Sequence, residues 1–128
     1  MGAKMNALAS VDGEELFQAQ TVTADALGPA KDLAKYEGVA AVFLSANAIS
    51  GTTPTCDVNL VESDTSGGTY TAVPSSAFTQ VTTTDSFQVL RLNLDGRKKF
   101  IKANVDVGGT TPNYVIAVVL AAFEKYQT

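Results

Sequence analysis

Few side chains in this sequence could do chemistry, and their types narrow the options quickly. The 128 residues contain no histidine. Ser-His-Asp and Cys-His hydrolysis need an imidazole base, and most catalytic zinc sites need imidazole ligands, so those classes are excluded. Cys56 is the sole cysteine. It can form no disulfide within the chain and no multi-cysteine zinc or iron–sulfur site, and no imidazole can activate its thiol. It falls in series with Val58 and Leu60 and reads as a buried structural thiol. Asp57, Glu62 and Asp64 gather near one strand end. A calcium loop of the EF type needs Asp-x-Asp-x-Asp-Gly and a distal Glu, which Asp64-Thr65-Ser66-Gly67 does not supply. A glycosidase needs two carboxylates across a cleft, and 13 acids in a chain this short make pairs without design. Gly67-Gly68 and Gly108-Gly109 lack the phosphate-loop and dinucleotide patterns. Tyr36, Tyr70, Tyr114 and Tyr126, with no tryptophan, make a sparse platform for a sugar. The expectation is a protein that is not an enzyme, with no catalytic residues, no cofactor and no metal.

Charge points to surfaces instead. The net charge is −4 and the isoelectric point about 4.6. Phosphate-driven binding wants a basic balance, so no nucleic-acid partner is expected. The acids crowd the first half, whereas Arg97, Lys98, Lys99 and Lys102 cluster in the second. Such polarity suits docking by complementary patches, and Arg97, Lys98 and Lys99 are the candidate partner contacts; a solvated turn is the plainer reading of the same residues. The longest apolar run, Tyr114 to Phe123, falls well short of the ~20 residues of a membrane helix, and no membrane partner is expected. Residues 1–6 carry no myristoylation signal and no apolar signal-peptide core follows, so production in the cytoplasm is expected.

These residues must be positioned by strands. Turn-formers recur between short apolar or alternating runs, and the 15 threonines favour half-buried strand surfaces. Residues 1–16 read as a flexible N-terminal arm with at most one helical turn near Asp12 to Phe17, and residues 17–128 as a single β-sandwich domain. Strands are predicted over Phe17–Thr23, Gly38–Ile49 (buried on both faces), Thr55–Ser63, Ser86–Leu94, Lys98–Val107 and Asn113–Glu124. Shorter pieces are predicted at Lys31–Lys35, Thr69–Ala72 and Phe78–Thr82. Asp95-Gly96 is a two-residue hairpin signal between its neighbouring strands. Asn113–Glu124 is apolar all round, so a buried helix competes there with a strand; its β-branched residues favour the strand. The predicted core includes Val58, Leu60, Leu92, Ile101, Val105, Val118 and Leu120. The fold class is all-β, a jelly-roll-like sandwich of two sheets and about eight strands.

One internal echo stands out. Gly51-Thr52-Thr53-Pro54 recurs as Gly109-Thr110-Thr111-Pro112, 58 residues later. Two readings are open: matching corners of a sandwich built from two Greek keys, or coincidence in a threonine-rich chain.

Gly38 to Glu124 resembles the decoration or cement proteins of tailed-bacteriophage capsids. The residues that carry the likeness are Gly-Thr-Thr-Pro-Thr before Asp57-Val58-Asn59-Leu60, then Glu62-Ser63-Asp64, Phe78-Thr79-Gln80-Val81 and Phe100-Ile101-Lys102. The second Gly-Thr-Thr-Pro, entering a final apolar strand, completes it. The resemblance implies a non-enzymatic virion protein, made in the host cytoplasm, that binds the major capsid protein on the outer shell and stabilises it. It carries over no functional residues. A capsid staple must be multivalent, so a homo-oligomer is expected, a dimer before a trimer. The alternative is a tail-fibre or carbohydrate- and receptor-binding β-sandwich module.

Overall fold

The computed structural model describes residues 11–125. The alternating runs become strands, and two of them are very long. In chain order the elements are β1 (Val11–Val22), β2 (Ala26–Leu27), β3 (Lys31–Asp32), β4 (Tyr36–Ser63), β5 (Thr71–Ala72), β6 (Ser86–Asn93) and β7 (Phe100–Glu124). All are antiparallel to their partners in one seven-stranded sheet. β4 and β7 pair along almost their whole length, from Tyr36↔Glu124 to Ser63↔Phe100. The all-β expectation holds, but in place of about eight strands in two sheets the hydrogen bonding runs through seven strands as one open sheet.

The repeated tetrads explain the continuity. They pair with each other, Thr52 opposite Thr110, in the middle of the β4–β7 ladder. Gly51 and Gly109 sit at φ 113° and 104°, and Thr53 and Thr111 at 46° and 47°. Each threonine hydroxyl donates 2.8 Å to the carbonyl of the threonine before it. A Cβ on Gly51 would stand 2.7 Å from the Thr111 carbonyl oxygen, and one on Gly109 would stand 2.6 Å from that of Thr53. The two tetrads thus make a local two-fold junction, and glycine is required at each because the facing backbone leaves no room and φ is positive. The relation extends further. Gly38 and Gly96, also 58 residues apart, have φ 78° and 79°. On one side of the junction the order is β6, the first half of β4, the second half of β7, β1. On the other it is β5, the second half of β4, the first half of β7, then β2 and β3. We call these the upper and lower halves.

Both halves contribute to one core. Val42, Leu44, Ile116, Val118 and Leu120 from the upper half and Leu60, Ile101, Ala103 and Val105 from the lower are fully buried. Among the described residues there is no helix and no other sheet. The inner face of each half is therefore covered by the other, and the seams hold them there. At one seam, Leu33 donates to the Lys99 carbonyl and Lys125 to that of Lys35, both at 2.8 Å. The Tyr114 hydroxyl donates to the carbonyls of Thr82 (2.9 Å) and Val81 (3.1 Å), and Val81 bridges to Cys56. The seven predicted core residues are all buried.

Several local expectations change. Residues 11–16 belong to β1 and Leu16 is fully buried, so the part of the predicted arm from Val11 on is strand, not arm or helical turn. Residues 1–10 lie outside the described residues. Burying Leu16 and Phe17 together is possible because β1 shifts register between Glu15 and Phe17. Asn113–Glu124 is strand, as its β-branched residues favoured. Phe78–Thr82 contributes only the Val81 bridge, and the other two short pieces shrink to β3 and β5. The Asp95-Gly96 turn forms, with Arg97 donating to the Leu94 carbonyl at 3.2 Å, but the strands beside it do not pair. β6 pairs with the upper part of β4 and the start of β7 with its lower part, so this turn carries the chain between halves.

Candidate interaction surface

The outer face of the upper half is built by strand alternation. On β6, Leu90 and Leu92 turn inward while Phe87, Val89 and Arg91 turn outward. On β4, Val42, Leu44 and Ala46 turn inward, leaving Val39, Ala41 and Phe43 outside. Val39 is 45% exposed, which corrects the expectation of burial on both faces. On β7, Val118, Leu120 and Ala122 turn inward and Ala117, Val119, Ala121 and Phe123 outward; on β1, Val11, Gly13 and Glu15 are outside. The register aligns these into rows. Val89, Phe43, Val119 and Glu15 form one, and Arg91, Ala41, Ala121 and Gly13 the next. Phe43 stacks on Phe87 with ring centroids 6.0 Å apart, and Phe87 remains 69% exposed. Six of the seven large apolar side chains exposed among the described residues lie on these four strands.

The three predicted contact residues sit elsewhere, where the two halves meet. Lys98, Lys99 and Lys125 line a concavity of about 270 Å³ floored by Leu33, Tyr36 and Leu94. Arg97 also borders it but is not a free contact. Its Nη1 lies 3.7 Å from Oε2 of the buried Glu62, whose other oxygen accepts the Lys98 backbone N–H at 3.0 Å. Glu62 thus spends its charge holding the turn that brings Arg97 inward. Lys99 stays exposed, 4.0 Å from Asp32 and over the Phe100 ring. Lys125 was not singled out in the sequence, because only the closing of the seam brings it near Lys98.

Lys35 and Tyr36, where the chain enters β4, face acids of β1. Lys35 Nζ meets Asp12 Oδ2 at 2.8 Å. That hydrogen bond holds the Asp12 carboxyl below its usual range and the Lys35 ammonium well above its own. The Tyr36 hydroxyl donates to Glu14 Oε1 (3.0 Å) and Asp12 Oδ2 (3.3 Å). Burial, then the Glu14 carboxylate, push it up to about 12.

Cys56 is fully buried, and burial, with the charges of Asp57 and Asp106, pushes its thiol up to about 11. A thiol so raised is inert at neutral pH, which agrees with its reading as a structural residue. Asp57, Glu62 and Asp64 do not converge: Glu62 is buried at the seam, Asp57 is exposed beside Gln80, and Asp64 is exposed in the loop after β4. Among the described residues no three His, Cys, Asp or Glu side chains gather as metal ligands. No helix there is long and apolar enough to cross a membrane.

No family model matches the chain, and no curated protein matches it. It is similar in fold to a solved structure, that of the SPBc2 prophage-derived protein YomS. The TM-score is 0.49 at 12% identity, over 88% of this chain and 93% of that one.

Proposed function

We propose that this chain is a non-enzymatic structural protein of a phage virion, which decorates the outer capsid shell and stabilises it. The observation that carries the reading is the apolar outer face of the upper half. An apolar patch of this breadth, the largest such surface among the described residues, often marks a protein contact. With no imidazole and a buried thiol held protonated, the chain lacks the commonest base and nucleophile, which supports a role carried by its surfaces. The major capsid protein is then the partner, and the half-buried Lys98 with the exposed Lys99 and Lys125 at the seam is the contact offered to it. Each exposed ion pair is worth little, but repetition around a shell multiplies it. The test mixes the purified protein with empty shells of its cognate capsid protein. Co-sedimentation and a raised shell melting temperature are expected, both weakened by Lys98→Glu with Lys99→Glu. A protein that ignores shells but is retained by a glycan or a cell surface would overturn the reading in favour of a receptor-binding module.

A further inference from the structure

We infer that the apolar outer face is a homodimer interface, covered by the same face of a second copy. The inference takes from the assembly reading only the face's need for cover. Size is the first argument. Four strands about 4.8 Å apart and six residues at about 3.3 Å each make a face of roughly 20 by 25 Å with side chains included. Two such faces bury about 1,000 Å² in total, the lower bound for a specific interface. Shape is the second. The two central strands alternate small and large residues, Ala41 with Phe43 on β4 and Ala117 and Ala121 with Val119 on β7, while Phe87 and Val89 stand on the β6 edge. Two such faces can interdigitate, the large residues of one over the alanines of the other, as stacked sheets do.

Charge is the third argument and fixes the orientation. The outward charges in the two central rows are Arg91 on β6 and Glu15 on β1, at opposite edges. A two-fold axis parallel to the strands and centred between β4 and β7 lays β6 of one copy over β1 of the other. Arg91 then meets the partner's Glu15, one row away, and symmetry forms the reciprocal pair. The face answers its own charge pattern, as an isologous contact requires.

The experiment uses the full chain and light scattering across micromolar concentrations. The expected mass is twice the 13.3 kDa of one chain, falling to one on dilution. Val89→Glu and Phe87→Ser, both at exposed positions, should raise the dimer dissociation constant by about tenfold or more while far-ultraviolet circular dichroism stays unchanged. Arg91→Glu and Glu15→Arg should each weaken the dimer similarly, and the double exchange should restore it. That rescue separates the interface from a folding defect. A wild-type chain monomeric throughout overturns the inference, as does a trimer, a dimer indifferent to these variants, or a charge exchange without rescue. A chain that dimerises only after removal of residues 1–10 assigns the face to that segment, and one whose face variants lose only shell binding assigns it to the capsid; both overturn it. A wild-type dimer that binds no shells at all would sink the virion reading and leave the interface standing.

Discussion

On the upper half the outward positions are Val39, Phe43, Val89, Val119 and Phe123; on the lower half they are Asp57, Asn59, Lys102, Asn104 and Asp106. Asn104 donates to Asn59 at 2.9 Å and to Asp106 at 3.3 Å, and Lys102 lies over the Tyr70 ring at 4.3 Å. Leu27, at the lower edge, is the one large apolar side chain exposed there among the described residues. Yet the two halves share a junction, positive-φ positions 58 residues apart and a common core. Inner-face residues must fill one closed space, so packing holds them alike. Outer-face residues answer to whatever lies outside, and here the two outer faces differ: polar on the lower half, apolar on the upper.

The comparison predicts equal inner costs. Leu120→Ala in the upper half and Ile101→Ala in the lower should each destabilise by about 2–5 kcal/mol in denaturant unfolding, since both are fully buried. A large inequality would mean that one half folds around the other. Gly51→Ala and Gly109→Ala should cost about 3 kcal/mol each, because backbone must yield as well as φ. Gly13→Ala is the control, since its added carbon meets nothing nearer than 3.5 Å. Unequal losses at the two junction glycines would break the two-fold relation.

Alkaline titration sharpens it at a smaller scale. Cys56 and Tyr114 are 58 residues apart, both buried, and both have pKa values raised first by burial. A raised pKa means that the folded state holds its proton where the unfolded chain loses it. For Cys56, stability is therefore full below pH 9.0, falls between 9.0 and about 11, and levels off above. Cys56→Ala should remove that part of the slope, read as melting temperature against pH at a constant thiol-free buffer. The Tyr36 contribution, lost from pH 10.0 to about 12, should remain.

Period-2 alternation made most inner residues legible, because a strand with one buried face writes its burial into the sequence. Ile101, Ala103 and Val105 show this, and Tyr114–Leu120 joined them through β-branching. Three things were not legible. Whether two long strands stay hydrogen-bonded across a Gly-Thr-Thr-Pro corner depends on the facing tetrad, which lies 58 residues away. The Asp95-Gly96 signal fixed a turn but not the partners of its strands, since β4 offers a longer inner face to each. Arg97 looked like a surface cation because Glu62, its neighbour in space, is 35 positions earlier. The apolar outer face also left a signal in the sequence: Phe87 and Val89 fall on the side of β6 opposite Leu90 and Leu92, so large apolar residues stand on both of its faces.

The smallest expected effect lies on the polar outer face. Asp57 and Asp106 stand directly opposite each other in the β4–β7 ladder. Like charges in that position repel, so Asp106→Asn should stabilise the fold by about 0.2–1 kcal/mol at low salt. The amide keeps an oxygen to accept from Asn104, which leaves the hydrogen bond in place. Salt screens exposed charges, so the gain should vanish near 1 M, where the Debye length is about 3 Å. Because the Asp106 charge also helps raise the Cys56 thiol, the same variant should bring the upper end of the alkaline transition to lower pH. The pairing two residues further on, Asn59 opposite Asn104, carries no charge, and Asn104→Thr should show no salt-dependent change. If Asp106→Asn destabilises instead, the outer faces are not governed by solvent as argued, and the lower half, too, is a surface that something covers.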